Sequence, residues 1–234
     1  MKKIVVVFLI SFSCKFFLID YVKDYHQGEQ YLEKCDNGNM GSCYLLGKIL
    51  EDSKSVIYNN KKKALLFYKK ACDGDNLQSC YILAQRVITQ ENRKKNMNQA
   101  IALFKKPCIS EVFPESCNNI GMIYEKGDGV PIDKQQARVF YKMACDRNFV
   151  FSCGSLGLML INGEGGDIDK VLGRELLKKS CDMGYIDICL DAALMLKNGE
   201  GGEVDIPNAR KIFQKLCDRQ KKEACALLRE IDQN

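Results

Sequence analysis

Small and large apolar residues recur at fixed places along this chain, with polar residues between them. Aligned on a recurring cysteine, Ala64, Ala100, Ala137, Gly173 and Ala209 stand eight residues before it. Phe67, Leu103, Phe140, Leu176 and Ile212 stand five before it, and Tyr68, Phe104, Tyr141, Leu177 and Phe213 four before it. These offsets put a small and a large apolar residue on one helical face. A second cysteine follows each first one, and four residues after it comes another small series: Gly47, Ala84, Gly121, Gly157 and Ala193. One turn further on are Leu50, Val87, Tyr124, Leu160 and Leu196. Each period therefore predicts two antiparallel helices of about 11 to 14 residues, packed closely through small-residue notches.

The turns are legible too. Gly127-Asp128-Gly129-Val130-Pro131, Gly163-Glu164-Gly165-Gly166 and Gly199-Glu200-Gly201-Gly202 fall between the helices of a period. Glycine ends a helix at little cost because it reaches the left-handed region. A phosphate-binding reading fails because no Gly-Lys-Ser/Thr follows these loops and no strand precedes them. The first two periods replace the glycine turn with other residues, including Tyr58-Asn59-Asn60.

Cysteines set the period. The pairs are Cys35 with Cys43, Cys72 with Cys80, Cys108 with Cys117, Cys145 with Cys153, Cys181 with Cys189 and Cys217 with Cys225. First cysteines follow one another at 36 or 37 residues. A fixed period of this length is the signature of a stacked repeat array. Twelve of the thirteen cysteines lie in these pairs, which read as disulfides formed in an oxidising compartment. Zinc is the weaker reading, since the within-pair spacing is long for metal ligands and the chain has one histidine, His26. No cofactor and no metal are expected. The ends read as caps: residues 20–34 look like the second helix of a repeat whose first helix is missing, and the polar tail from Arg229 suits a terminal repeat.

Composition changes this picture little. A 46% apolar fraction is ordinary for a folded chain. The net charge of +5, about +3 without Lys2 and Lys3, gives no case for nucleic acid. Lys61–Lys63 and Lys94–Lys95 read as solvated helix ends. Residues 1–19 read as a targeting segment and 20–234 as the repeat array of six cysteine-paired hairpins. Lys2 and Lys3 precede the apolar run Ile4–Ile10, which is too short to span a bilayer, and Ser11-Phe12-Ser13 is small-x-small. Cleavage after Ser13 would make Cys14 the first residue, where a bacterial lipoprotein is acylated. Ser11 stands where that signal wants leucine, so simple secretion, or cleavage a few residues later, is the preferred reading. Phe16–Ile19 leave an uncleaved anchor open. Loss of Cys14 leaves an even cysteine count. The expected location is secreted or periplasmic, with no stable membrane span after processing.

The stretch Cys117–Cys153 resembles the Sel1-like repeat: a small-residue helix, Tyr124, the Gly127-x-Gly129-Val130 turn, Asp133, Ala137, Phe140-Tyr141 and Ala144-Cys145. With a cysteine pair in every unit, the chain is similar to the secreted Helicobacter cysteine-rich proteins, of β-lactamase type, over roughly residues 30–230. Pro107 and Leu216 depart from the pattern, as does the extra residue between Cys108 and Cys117. The resemblance implies an all-α, right-handed α/α solenoid of Sel1-like (TPR-like) repeats with one disulfide per helical pair. It also implies binding and slow hydrolysis of β-lactams, with a β-lactam or cell-wall peptide as partner. The alternative is a non-enzymatic scaffold that binds a peptide or protein in its groove, in the cell envelope or at the host interface.

The residues themselves supply no catalytic set. Ser-x-x-Lys, Ser-Asp-Asn and Lys-Thr-Gly are all missing. A metal enzyme needs several ligands beyond His26, and a cysteine nucleophile needs a free activated thiol. Glu125, Asp128, Glu164 and Glu200 recur near turns and read as solvent-facing. The outward residue five positions after each second cysteine changes from Lys48 to Gln85, Met122, Leu158 and Leu194, a series without one ligand chemistry. Catalytic residues are therefore left unassigned.

Overall fold

The computed structural model describes residues 26–52, 60–89, 93–110 and 112–233. The targeting segment, Cys14, Tyr58 and Asn59 lie outside them. Among the described residues the chain is all helix and turn. α1 covers residues 26–36. It is followed by α2 (Met40–Glu51), α3 (Lys61–Asp73), α4 (Leu77–Thr89), α5 (Met97–Ile109), α6 (Pro114–Lys126) and α7 (Lys134–Cys145). α8 (Val150–Asn162), α9 (Lys170–Asp182), α10 (Cys189–Asn198), α11 (Ile206–Asp218) and α12 (Lys222–Gln233) complete the series. Even-numbered helices carry the second cysteine of a pair and are called A helices. Odd-numbered ones carry the first, near their ends, and are called B helices.

The chain divides into two compact units, up to Leu83 and from Ala84 onward. In the first, Leu46, Leu50, Ala64 and Tyr68 form the core, with Tyr31, Tyr44 and Phe67 packed around it. In the second, Ala137, Tyr141, Leu156, Met159 and Leu160 form one cluster. Leu177, Leu196, Ala209, Phe213 and Leu216 belong to another. The large residue four before the first cysteine is at most 1% exposed in five of the six pairs, at Tyr68, Phe104, Tyr141, Leu177 and Phe213, whereas Tyr31 before Cys35 is half-buried. The notch works as a physical slot. A Cβ on Gly121 would come within 2.8 Å of the Tyr141 ring, so only glycine admits that ring.

Disulfides join Cys35 to Cys43 and Cys72 to Cys80 in the first unit. In the second they join Cys108 to Cys117, Cys145 to Cys153, Cys181 to Cys189 and Cys217 to Cys225. Bridged Cα atoms are 4.6 to 4.8 Å apart. Cys43 and Cys80 are fully buried in the first turn of their A helices. Cys225 holds the same place in α12, where the last bridge ties the terminal helix to α11. On the chain-entropy model, closing a loop of this size contributes about 2.5 kcal/mol. Each bridge links the end of a B helix to the start of the next A helix, so none ties distant repeats together.

Side chains cap the helix starts: Asp133, Asp169 and Asp205 accept from the backbone N–H groups of Gln136, Leu172 and Asn208. These caps satisfy N–H groups that a helix start leaves open. Asn60 does the same for Lys63, which gives it a structural role in its loop. Lys61–Lys63 at the start of α3, and Lys94 and Lys95 in a short 3-10 turn, are exposed.

The glycine turns do more than end helices. A Cβ on Gly165 would press into the carbonyl of Lys134, the first residue of the preceding B helix, and Gly201 stands in the same relation to Lys170. Glu164 beside Gly165 pairs with Lys134 at 2.9 Å, and Glu200 beside Gly201 pairs with Lys170 at 3.0 Å. Arg138 donates to the carbonyl of Asp167, and Arg174 to that of Glu203. These two glycine turns are thus stitched to the previous repeat by the same three contacts, and Gly129 in the earlier turn lies in the same way against the Lys94 carbonyl.

Candidate functional site

The four acids near turns do not form a set. Glu164 and Glu200 belong to the stitches just described. Asp128 lines a furrow beside Ile88, Met97 and Met122. Glu125 departs from the solvent-facing expectation. It is half-buried on α6 and accepts a hydrogen bond from the Tyr141 hydroxyl at 2.6 Å. The reason lies in the packing. Tyr141 fills the Gly121 notch, and its hydroxyl emerges at the end of α6, where it needs an acceptor. The Ser155 hydroxyl is bonded to the same phenol. Burial, then Glu125, push the Tyr141 phenol well above its ordinary value, so it stays protonated and is a poor base. In the first unit Tyr68 donates to Glu51 at 3.0 Å, and burial pushes that phenol up to about 12. At the same offsets the other repeats carry Ile88 with Phe104, Ile161 with Leu177 and Lys197 with Phe213. A tyrosine in the core thus comes with a glutamate one helix away. The repeats aligned against one another carry that pairing as a covariation between two columns.

In the second unit the outer side of the A helices forms one continuous face. The Ser152 hydroxyl on α8 donates to Oδ1 of Asn118 on α6 at 2.8 Å. Lys197 on α10 pairs with Glu230 on α12 at 2.8 Å. Phe151 on α8 meets Tyr185, just before α10, edge to face at 4.9 Å. Met122 and Leu158, 38% and 36% exposed, stand at the same offset on successive A helices, and the half-buried Leu194 continues the row. Two furrows lie between A helices. One of about 250 Å³ opens between α4 and α6 and is lined by Ile88, Asn119 and Met122. One of about 330 Å³ opens between α10 and α12 and is lined by Asp187, Leu190, Lys222 and Glu223. Asp191 lies close enough to Glu223 to feel its charge. Burial, then Glu223, raise the Asp191 carboxyl above the usual carboxylate range.

All twelve cysteines of the pairs are in bridges, so none offers a thiol nucleophile. The serines preceding the second cysteines, Ser42, Ser79, Ser116 and Ser152, are buried. His26 is exposed at the start of the described residues. Among the described residues no group of His, Cys, Asp and Glu is arranged to hold a metal, and no helix is long and apolar enough to cross a membrane.

Comparison with known proteins agrees with this architecture. The Sel1 repeat family model matches residues 41–76, 78–106, 114–149, 151–185 and 189–220. The c5321 protective antigen of uropathogenic Escherichia coli, described as displaying an SLR fold, superposes with a TM-score of 0.74 at 21% identity. That match covers 87% of this chain but 43% of the antigen, so the chain spans less than half its length. A Sel1 repeat protein from Oxalobacter formigenes superposes with a TM-score of 0.64 at 17% identity, covering 81% of this chain and 75% of that one. Helicobacter pylori cysteine rich protein B is 26% identical over 59% of this chain and 98% of its own length, with a TM-score of 0.42. No curated protein matches in sequence. The matched segments cover well over half of the chain, and its helical pairs, notches and turns are those of an all-α repeat solenoid: the chain belongs to the Sel1 repeat family.

Proposed function

We propose that this chain is a non-catalytic scaffold that binds a peptide or protein on the outer face of its A helices. The observation that carries this reading is the row Met122, Leu158 and Leu194. Single exposed apolar residues are normal. Two exposed and one half-buried at one offset on successive repeats form an ordered row, and repeat arrays offer such extended surfaces to long partners. Six bridges fit an oxidising, extracellular or periplasmic setting. Export through residues 1–19, leaving 20–234 as the working array, belongs to the same proposal.

Slow β-lactam hydrolysis, which the resemblance to the cysteine-rich proteins implies, ranks second. The chain Glu125–Tyr141–Ser155 brings a hydroxyl near a carboxylate, but the protonated phenol between them cannot take the serine's proton.

Panning a random peptide library on the oxidised protein tests the scaffold. Selected peptides should lose binding to Leu158→Glu and keep it to Lys211→Glu on α11. Peptides that bind both variants equally would place recognition elsewhere and end this reading. Turnover of a chromogenic β-lactam that tracks the folded, bridged form through two columns would restore the enzyme.

A further inference from the structure

We propose that Cys108–Cys117 is a thiol-exchange site: a dithiol reductant opens this bridge before the other buried ones, and Cys117 leaves as a thiolate held by Arg147. The inference stands apart from the peptide-binding reading and survives or fails without it.

The surroundings of the sulfur carry it. Arg147 stands two residues after the first cysteine of the next repeat and reaches back to this bridge. Its Nη1 donates to the Cys108 carbonyl at 3.0 Å and lies 3.3 Å from Sγ of Cys117. Among the described residues no cation donates to the sulfurs of the other buried bridges. Sγ of Cys43, Cys80 and Cys153 lies instead against the carbonyl of Cys35, Cys72 or Cys145, at 3.5 to 3.6 Å. A carbonyl oxygen disfavours a negative sulfur, whereas a guanidinium favours it and lowers the pKa of the thiol. The helix dipole does not single Cys117 out, because Cys43, Cys80, Cys117 and Cys153 are each the fourth residue of an A helix. Arg219 has the offset of Arg147 in the last repeat, but it is exposed and donates to neither Cys181 nor Cys189.

Access is the second requirement, since Cys108 and Cys117 are fully buried. The junction that covers them is poorly tied. The Ser116 hydroxyl is buried without a hydrogen-bond partner, whereas Ser79 donates to Asn76 and Ser152 to Asn118. Phe113 caps α6 without a side-chain bond, and Tyr81 on α4 stands where α6 carries Asn118. Pro107 removes a backbone donor from the last turn of α5. These missing bonds lower the cost of opening the junction locally.

The exchange balances. A thiolate of the reductant attacks Sγ of Cys108, the Cys108–Cys117 bond breaks, and its electron pair goes to Sγ of Cys117. The second thiol of the reductant then resolves the mixed disulfide. The reductant ends as its own disulfide, and Cys108 leaves as a thiol once it takes a proton. Opening releases the start of α6, which carries Asn119, Met122 and Ile123 of the α4–α6 furrow.

Redox titration of the whole oxidised chain tests this. The protein is equilibrated with mixtures of reduced and oxidised dithiothreitol at about pH 7, trapped with N-ethylmaleimide and mapped by mass. The equilibrium constant for reducing Cys108–Cys117 should exceed that of Cys145–Cys153 at least about tenfold, or about 30 mV. Arg147→Gln should remove the gap, and Arg147→Lys, which keeps the cation, should retain most of it. The direction of change is decisive. If Arg147 only caps the Cys108 carbonyl, Arg147→Gln loosens the junction and makes the bridge easier to reduce. That outcome, or no change, overturns the proposal. A second variant covers the case in which Arg147→Gln misfolds. Cys108→Ser leaves Cys117 as a free thiol beside Arg147, and its alkylation by iodoacetamide should titrate below the ordinary thiol value of about 8.5. Titration at or above that value also overturns the proposal.

Discussion

The A and B helices of the second unit are of similar length, 10 to 13 residues, and all but the last pack through a small-residue notch, yet they use their polar residues in opposite ways. The B helices α5, α7, α9 and α11 carry twelve Lys or Arg against three Asp or Glu. Many of those cations are occupied. Lys134 and Lys170 hold the next repeat's turn, and Arg138 and Arg174 hold its backbone. Lys142 and Lys178 pair with Asp146 and Asp182 at the ends of their own helices, where a cation is favoured by the helix dipole. On the A helices, Asp191 and Glu223 are in no ion pair among the described residues, and Met122 and Leu158 are open to solvent. The B side uses its charge for assembly and the A side leaves Asp191 and Glu223 unmatched, while apolar residues are open on both sides, Val139 and Val171 on B helices among them. Surface that costs stability without holding the fold together is where binding should be sought.

Breaking a stitch on the B side tests the first half of this contrast and should have the largest effect. Gly165 has φ of 73° and lies against the Lys134 carbonyl. Gly165→Ala forces an alanine into the left-handed region, at about 1–2 kcal/mol, and pushes the turn off α7. We expect a loss of about 2–3 kcal/mol in urea unfolding, the steric part adding to the backbone part. Glu164→Gln, which removes only the exposed ion pair with Lys134, should cost less than about 1 kcal/mol. Equal costs for the two would mean that charge, and not close approach, fixes the turn.

The next effect lies where the two sides meet. Tyr141 rises from a B helix and bonds Glu125 on an A helix. Tyr141→Phe leaves Glu125 without its donor and should cost about 1–2 kcal/mol near neutral pH. The pH dependence has a definite sign. The folded phenol is raised above its unfolded value, so its contribution is whole below about pH 10, the unfolded value. Above that, the unfolded chain loses the proton first and stability falls as pH rises. Tyr68 acts in the same direction, fading through about 12. Urea midpoints at pH 8 and near pH 11 should therefore converge for the wild type and Tyr141→Phe. Parallel curves would show that the phenol is not the group responsible.

How much of this is legible in the sequence follows from what each residue touches. The offsets that mark the notches are readable because a small residue facing a large one is a local, repeated constraint. The same holds for the cysteines: Cys43, Cys80 and Cys225 lie within nine residues of their partners, so their pairing needs no knowledge of distant contacts. The glycine turns are readable as helix ends, but their stitching to the previous repeat is not. It depends on which carbonyl lies under Gly165, about thirty residues back along the chain. Glu125 escapes for a related reason: an acid near a turn is usually solvated, and only the placement of the Tyr141 hydroxyl makes it an acceptor. The row five residues after the second cysteine is visible in sequence without a meaning. The links Asn118–Ser152 and Lys197–Glu230 turn those separate positions into one face.

The smallest expected effect concerns the unmatched acids. Asp191 is raised by burial and by Glu223, so the folded form holds its proton more tightly than the unfolded chain does. Lowering the pH from neutral toward the carboxylate range should then favour the folded state through this group, until both forms are protonated. Near neutral pH the charged pair works against folding. Asp191→Asn removes that cost and should raise stability by about 0.5 kcal/mol or less, the scale of an exposed substitution. Asp182→Asn, which breaks the pair with Lys178 on the B side, should leave stability unchanged or lower it slightly. The two single-charge changes are chemically identical, so a difference in sign isolates their surroundings. A gain at Asp191 against no gain at Asp182 would mean that the A side keeps a carboxylate that does nothing to hold the repeats together. A loss at Asp191 as at Asp182 would mean that both sides of the repeat use their charge for assembly alone.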